Sequence, residues 1–336
     1  MPKSMRKKMR VNSLESLKKI LLESLEKYSS VGIVTHYSPD GDGFCAALVL
    51  QEILSQKNIK SEIILEKTAP AVYDFLNGRE RSIVFSDKLA YDLLLILDCH
   101  EEERIGKCAP LISKAEKIIA IDHHPENELI SNSETYIDTD KVSVGVIIYN
   151  LFSNEISSFP KLAQKYIAEA VYTTILNDSD NFINANTDAE TFQISAELMK
   201  LGLVPGNIAE KFLMNKSPAE MRFIGEVLAT IKTFEDKKIL FMHSTLEMLS
   251  RNGLTREATD KMTRWVKGTR DVKILIYFQE TESGKFRLHL RSNYIDVNKI
   301  AMKYDGGGHI RASGCEISGT YSELEEKLLK DIKEQL

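Results

Sequence analysis

The sequence predicts an α/β protein: a doubly wound, mostly parallel sheet domain, then a second, smaller α/β domain, with a cleft between them. Three observations carry this. The apolar runs Val31–Thr35, Leu93–Leu97 and Ile118–Ile121 are unbroken rather than alternating, as in strands covered on both faces. Segments of helical spacing separate them, as crossovers between parallel strands require. A chain of 336 residues also exceeds what one ordinary core holds.

The elements follow in order. Leu14, Leu17, Leu21 and Leu25 form one apolar stripe and predict a helix over residues 13–28. Val31–Thr35 is a strand, Tyr37–Gly43 is a loop marked by Pro39, Gly41 and Gly43, and Phe44–Leu54 is a helix. Ser61–Leu65 reads as a strand. Leu93–Leu97 ends at Asp98, and Ile118–Ile121 ends at Asp122. Helices are predicted over 162–177 and 188–201. Gly202, Pro205, Gly206 and Pro218 mark residues 201–221 as a linker between a domain over 1–200 and another over 222–336. The second domain reads as a strand at Lys238–His243, a helix at Thr255–Lys267 and strands at Val272–Gln279 and Phe286–Arg291. A helix from Val297, a glycine loop at Gly306–Gly308 and a charged helix at Ser322–Leu336 complete it.

Composition narrows the function. Hydrophobic residues make up 43% and charged residues 28%, the balance of a soluble globular protein. No apolar run approaches the roughly 20 residues that span a bilayer, and none of signal-peptide type follows the basic residues Lys3, Arg6, Lys7, Lys8 and Arg10. That basic segment is expected to be a solvated tail. Cys45, Cys99, Cys108 and Cys315 form no Cys-x-x-Cys pair, which predicts small buried side chains in a reducing cytoplasm. The net charge of −5 argues against a grip on long duplex nucleic acid, which needs many phosphate contacts from a basic surface. A small site for a short anion is compatible with it, provided cations supply local positive charge.

The chemistry is carried by acids that recur in one structural place. His36, Asp40 and Asp42 follow the first predicted strand of the sheet. Asp98 and Asp122 end two others, and His123 and His124 come next. In open α/β sheets ligands bind outside the carboxyl ends of strands. Asp178, at the end of the helix that starts near Leu162, adds another carboxylate. Converging carboxylates must be protonated or neutralised by cations, and two divalent ions resolve the conflict. Carboxylate with imidazole suits Mn²⁺, with Mg²⁺ or Co²⁺ as alternatives. A calcium-loop reading of Asp40 to Gly43 fails, because Phe44 stands where an oxygen ligand belongs. Gly306–Gly308 is no dinucleotide fingerprint, since Arg311 takes the last glycine position.

These residues resemble a known family. The string Thr35, His36, Tyr37, Ser38, Pro39, Asp40, Gly41, Asp42, Gly43 is similar to the first motif of the DHH phosphoesterases. Asp98 resembles the second, and Asp122, His123, His124 is the triplet that names the family. Asn177 to Phe182 resembles the fourth, with Asp180 where the family carries glycine. Leu290, Arg291, Ser292 and the run Gly306 to Gly314 resemble the DHH-associated C-terminal domain. The nearest subgroup is the bacterial nanoRNase and 3'-phosphoadenosine 5'-phosphate phosphatases.

The resemblance implies two metal ions. His36, Asp40 and Asp98 would hold the first. Asp42, Asp98, His123 and Asp178 would hold the second, with Asp98 bridging. Asp122 would orient its neighbours, and His124 would face the phosphate and assist catalysis with Asp98 and Asp122. Arg291, Ser292, Gly307, Gly308, His309 and Arg311 would bind substrate, and Tyr304 is a stacking candidate. The implied reaction is attack by a metal-activated hydroxide on short single-stranded oligonucleotides or small nucleotides. A homodimer is compatible with this reading. The competing readings are a cyclic or linear dinucleotide phosphodiesterase and a non-catalytic nucleotide sensor. His243 and His289 read as ordinary strand residues.

Overall fold

The structure is a computed structural model that describes residues 8–126, 128–259 and 262–333. Lys3, Arg6 and Lys7 of the basic segment, and the last three residues of the predicted terminal helix, lie outside the described residues. The chain divides into two compact units after Asn215.

The first unit is built on seven strands: β1 (Met9–Val11), β2 (Val31–Val34), β3 (Ser61–Leu65), β4 (Ser82–Val84), β5 (Leu93–Leu97), β6 (Lys117–Asp122) and β7 (Ser133–Ile137). Their order is β1-β7-β6-β5-β2-β3-β4, and every pairing is parallel. Neighbouring residues of each strand bury toward opposite faces. Ile33, Leu95 and Ile119 join one core with helices Gly43–Gln56, Val144–Ile156 and Lys161–Asp178. Val34, Leu94, Ile96 and Ile118 join a second core with Ile105, Leu111 and Ile112. Both faces are therefore covered, which explains the unbroken apolar runs. The sequence order reverses between β2 and β5, so the crevice outside their carboxyl ends is a topological switch point.

The second unit is a mixed sheet of six strands: β8 (Lys232–Phe234), β9 (Ile239–Ser244), β10 (Ile274–Glu282), β11 (Lys285–Ser292), β12 (Gly307–His309) and β13 (Ala312–Ser318). The order is β12-β13-β11-β10-β9-β8, with only β9 and β10 parallel. Ile276, Phe278, Leu288 and Leu290 pack on one face with helices Val297–Met302 and Tyr321–Lys333. Leu240, Met242, Leu275 and Tyr277 pack on the other with helix Pro218–Ala229.

Two expectations need correction. The stretch 201–221, expected to be a linker, carries helix Pro205–Leu213, whose Ile208 enters the first unit's core, and the start of helix Pro218–Ala229. Both prolines sit at the first helical turn, where no backbone N–H is needed, so they start helices instead of breaking them. The helix expected over Thr255–Lys267 is instead two short 3₁₀ turns, Arg256–Thr259 and Met262–Val266. Helix Val144–Ile156 and strand β7 were not foreseen.

Candidate metal and phosphate site

The local folding of each motif places its acids. Asp40 Oδ1 accepts the backbone N–H groups of Asp42 and Gly43 at 3.0 and 3.2 Å, which closes the loop and starts helix Gly43–Gln56. Gly43 must be glycine, because a Cβ would lie 2.1 Å from Thr35 Oγ1. Asp42 is fully buried and meets the N-terminus of helix Val144–Ile156. Its two oxygens accept from Val144 N at 2.7 Å and Gly145 N at 3.0 Å, so the helix's free amides hold this carboxylate. Asp98 follows β5 in the left-handed region, with φ of +60°. A non-glycine residue held there is strained, and such strain concentrates at functional sites.

These side chains converge. His36 Nε2 lies 3.6 Å from Asp40 Oδ1 and 3.4 Å from Asp98 Oδ2. His123 Nε2 lies 3.6 Å from Asp42 Oδ2, 3.6 Å from Asp98 Oδ1 and 2.9 Å from Asp178 Oδ2. The other ring nitrogen of His123 faces the Lys141 carbonyl at 3.1 Å and donates to it, which turns Nε2 toward the acids and frees its lone pair for a cation whenever the ring is neutral. Three groups have donor atoms within 4.8 Å of one another: His36, Asp40, Asp98; Asp42, His123, Asp178; and Asp98, His123, His124.

The donor set fits a cation better than it fits itself. Asp98 Oδ1 and His123 Nε2 are buried and lack a hydrogen bond of proper geometry, despite their close neighbours. They lie 3.6 Å apart, within the spacing that ligands of one ion share. Electrostatics agrees. Burial, then Asp178 and Asp98, pushes Asp42 well above the usual carboxylate range. Burial, then Asp40 among the neighbouring charges, raises Asp178. For His36, burial opposes protonation, but Asp40 and Asp98 outweigh it and raise the group to about 9. His124 rises to about 10, because Asp122 and Asp98 outweigh its burial, and His123 is raised through Asp178. Protons here do the neutralising work that cations would do.

Asp122 does not join the cluster of inward oxygens. Its Oδ1 accepts from His123 N, His124 N and His124 Nδ1 at 2.7, 3.1 and 2.9 Å. Its Oδ2 lies 2.5 Å from His100 Nδ1. Burial works against the charge, but His100 and His124 outweigh it and hold Asp122 well below the carboxylate range. His100 is 1% exposed and was missed in the sequence, where it reads as a loop residue after Asp98.

The second unit gathers most of its predicted substrate residues at one edge. Across β11, β13 and β12, Arg291 stands opposite Ala312, which stands opposite His309. His289 stands opposite Gly314, which stands opposite Gly307. Residues in such rows share a face. Arg287, His289, Arg291, Gly307 and Tyr304 line one open groove. Gly308 has φ of +139°, and Arg311 lies in the turn between β12 and β13. Gly307 has open space where a Cβ would sit, so its own packing does not demand glycine. Tyr304 donates its hydroxyl to Asp331. Ser292 is placed differently. Its hydroxyl donates to Lys273 O at 2.7 Å and accepts from Tyr294 N and Ile295 N at 3.0 Å, so it holds the turn after β11. All four cysteines are buried and free, as expected. Among the described residues, no helix is long and apolar enough to cross a membrane.

The fold and the site define a two-unit hydrolase of phosphate esters. The chain carries two family domains: residues 30–175 match the DHH family, N-terminal domain, and residues 236–336 match the DHHA1 domain. Relatives extend over most of the chain. The bifunctional oligoribonuclease and PAP phosphatase NrnA of Mycoplasma genitalium is 25% identical, covering 88% of this chain and 91% of its own. The protein of that name from Thermus thermophilus is 26% identical, covering 90% and 89%. An exopolyphosphatase-related protein of Bacteroides fragilis has the same fold, with a TM-score of 0.85, 22% identity and coverage of 94% and 96%. The family implies dependence on divalent metal, and the acidic and histidine groups of the first unit are able to hold it.

Proposed function

We propose that this protein hydrolyses short single-stranded oligonucleotides and 3'-phosphoadenosine 5'-phosphate, using two divalent ions for which Mn²⁺ is the first choice. The observation that carries the reading is Asp98, buried and shared between two groups of side chains spaced to hold a metal, with its Oδ1 and the His123 Nε2 lacking a hydrogen bond. The NrnA relatives, named as oligoribonucleases and PAP phosphatases, supply the substrate class.

His36, Asp40 and Asp98 would hold one ion, and Asp42, Asp98, His123 and Asp178 the other. Bound ions would supply an activated water and neutralise charge on the phosphoryl oxygens. The chain's own groups do the rest. The Val144 and Gly145 amides fix Asp42, and the Lys141 carbonyl fixes the tautomer of His123. In its imidazolium form His124 carries a proton on Nε2 in addition to the Nδ1–H that Asp122 engages. It gives that proton to the leaving oxygen as the phosphorus–oxygen bond breaks. Arg291, Gly307, Gly308, His309 and Arg311 bind a substrate phosphate, and Ser292 supports Arg291 through the turn it holds. The net charge of −5 limits the gain from extra phosphates, so about two to five nucleotides is the favoured length.

The test is a substrate panel with purified protein. Mn²⁺ should support hydrolysis of two- to five-residue RNA and of 3'-phosphoadenosine 5'-phosphate, with kcat/KM falling for longer strands. Excess chelator should abolish the activity and Mn²⁺ restore it. Full activity after chelation, or processive digestion of long strands at the dinucleotide rate, would overturn the reading.

A further inference from the structure

We propose that His100 is a positioning residue for the reaction: it anchors the outer oxygen of Asp122 and thereby fixes the proton and the orientation of His124. The inference rests on the reading of His124 as the group that faces the phosphate.

The geometry is asymmetric. Asp122 Oδ1 accepts three N–H groups, all from His123 and His124. For Oδ2 the bond shown is the one to His100. Asp122 is fully buried and His100 is 1% exposed, so water does not substitute for either partner. A carboxylate oxygen only accepts, so the His100 atom facing it is Nδ1–H. The same reasoning assigns Nδ1–H to His124 and directs its Nε2 elsewhere. His124 is the open end of this chain of three, with a side chain 34% exposed.

His100 is itself anchored. Its carbonyl accepts from Ile130 N at 2.9 Å, and Ile130 is buried in the second core of the first unit. The order is therefore core, His100, Asp122, His124, substrate. Without the His100 ring, Oδ2 would be a buried charged acceptor lacking its anchor, an expensive state. The carboxylate would then rotate toward the neighbouring donors, and the His124 ring would lose its fixed direction. Groups that orient a site residue from behind typically contribute about 10- to 100-fold to activity.

The experiment uses the full chain and a generic activated phosphodiester, bis(p-nitrophenyl) phosphate, with Mn²⁺. His100→Ala should lower kcat about 10- to 100-fold with little change in KM. His100→Asn, whose amide N–H replaces Nδ1–H, should return to within about threefold of the parent. Calorimetry should still find two Mn²⁺ per chain in both variants. In the Mg²⁺-loaded protein, nitrogen NMR should show His124 Nδ1 protonated and hydrogen-bonded in the parent and in His100→Asn, and should show that hydrogen bond weakened in His100→Ala. If His100→Ala does not fold, His100→Gln takes its place, since its longer amide misses the Nδ1 position. Equal losses in Asn and Gln, an Ala variant within twofold of the parent, or a loss of bound Mn²⁺ that accounts for the lost rate would overturn the inference. A parent protein inactive on the diester with Mn²⁺ would instead remove the hydrolytic reading beneath it.

Discussion

Three histidines of the first unit are drawn toward protonation, and two of the second are drawn away from it. His36 rises to about 9 and His124 to about 10, with His123 raised as well. His289 falls to about 4 and His243 is lowered. Burial pushes all five the same way, toward the neutral form, so burial does not explain the contrast. The neighbours do. Asp40, Asp98, Asp122 and Asp178 surround the first set. Arg291 and Arg287 stand beside His289, and Lys232 beside His243. The first unit is an acid pole, whereas Arg287 and Arg291 set positive charge around His289 in the groove of the second.

The largest effect should come from removing the center of the cationic demand. Asp98→Ala takes a ligand from both proposed ions at once, so kcat should fall by at least about a thousandfold, more than for any residue serving one ion. Calorimetry should find fewer than two Mn²⁺ bound per chain. An Asp98→Ala variant within tenfold of the parent would mean that the acid pole is not the reaction center.

The second unit offers the opposite sign. His289 is neutral in the folded state down to about pH 4, whereas an unfolded histidine titrates near 6.5. A depressed folded value means stability that is fully present above pH 6.5 and is lost as pH falls toward 4. The limiting size is on the order of 3 kcal/mol. Trp265, the one tryptophan of the chain, lies in this unit and reports its unfolding separately. Urea titrations followed by Trp265 fluorescence should lose stability between pH 7 and pH 4.5, and His289→Gln should flatten that loss. Parallel pH profiles for parent and variant would break the comparison.

Arg311→Ala tests whether the basic groove meets the substrate. A charged hydrogen bond contributes about 1.5–3 kcal/mol, so KM for 3'-phosphoadenosine 5'-phosphate should rise about tenfold or more. The rise should be smaller for bis(p-nitrophenyl) phosphate, which has no second phosphate. Equal changes on both substrates would assign Arg311 a structural role.

How much of this was legible differs between the units for a physical reason. The parallel sheet could be read because strands buried on both faces are unbroken in apolar residues, and Asp98 and Asp122 mark where two of them end. The convergence of His36, Asp40, Asp42, His123 and Asp178 could be read because all follow strand or helix ends. His100 could not, since its partner lies 22 residues away and its burial is a tertiary fact. Helix Pro205–Leu213 was hidden because Pro205 and Gly206 signal a break unless their place in the first turn is known. In the second unit, Arg291 and Arg311 were legible beside the glycine loop, but the inward turn of Ser292 depends on strand alternation fixed only by the register of β11. His289 read as an ordinary strand residue, and it lies in β11; its lowered titration was not legible because it depends on burial and on two arginines at alternate positions of the same strand.

The smallest predicted effect separates charge from backbone at the edge of the acid pole. Asp180 follows helix Lys161–Asp178 with φ of +49°, and Asn181 and Phe182 continue in the same region at +58° and +64°. Phe182 is held there, its N–H donated to Ser179 Oγ at 2.8 Å and its ring stacked on Phe192. The turn is thus fixed by its neighbours, and Asp180 must adopt the left-handed conformation whatever it costs. The resemblance to the DHH motif has glycine at this position, the residue with the least penalty there. Asp180→Gly and Asp180→Ala remove the same charge and the same side-chain interaction, and differ in backbone cost. Asp180→Gly should therefore be more stable than Asp180→Ala by about 1 kcal/mol in urea unfolding followed by far-ultraviolet circular dichroism. Both should bind Mn²⁺ more weakly than the parent by the same small factor, because the lost charge is common to them. If Ala is as stable as Gly, the left-handed turn is not imposed at this residue. If the two bind Mn²⁺ differently, conformation and not charge is what Asp180 contributes to the metal-binding side of the protein.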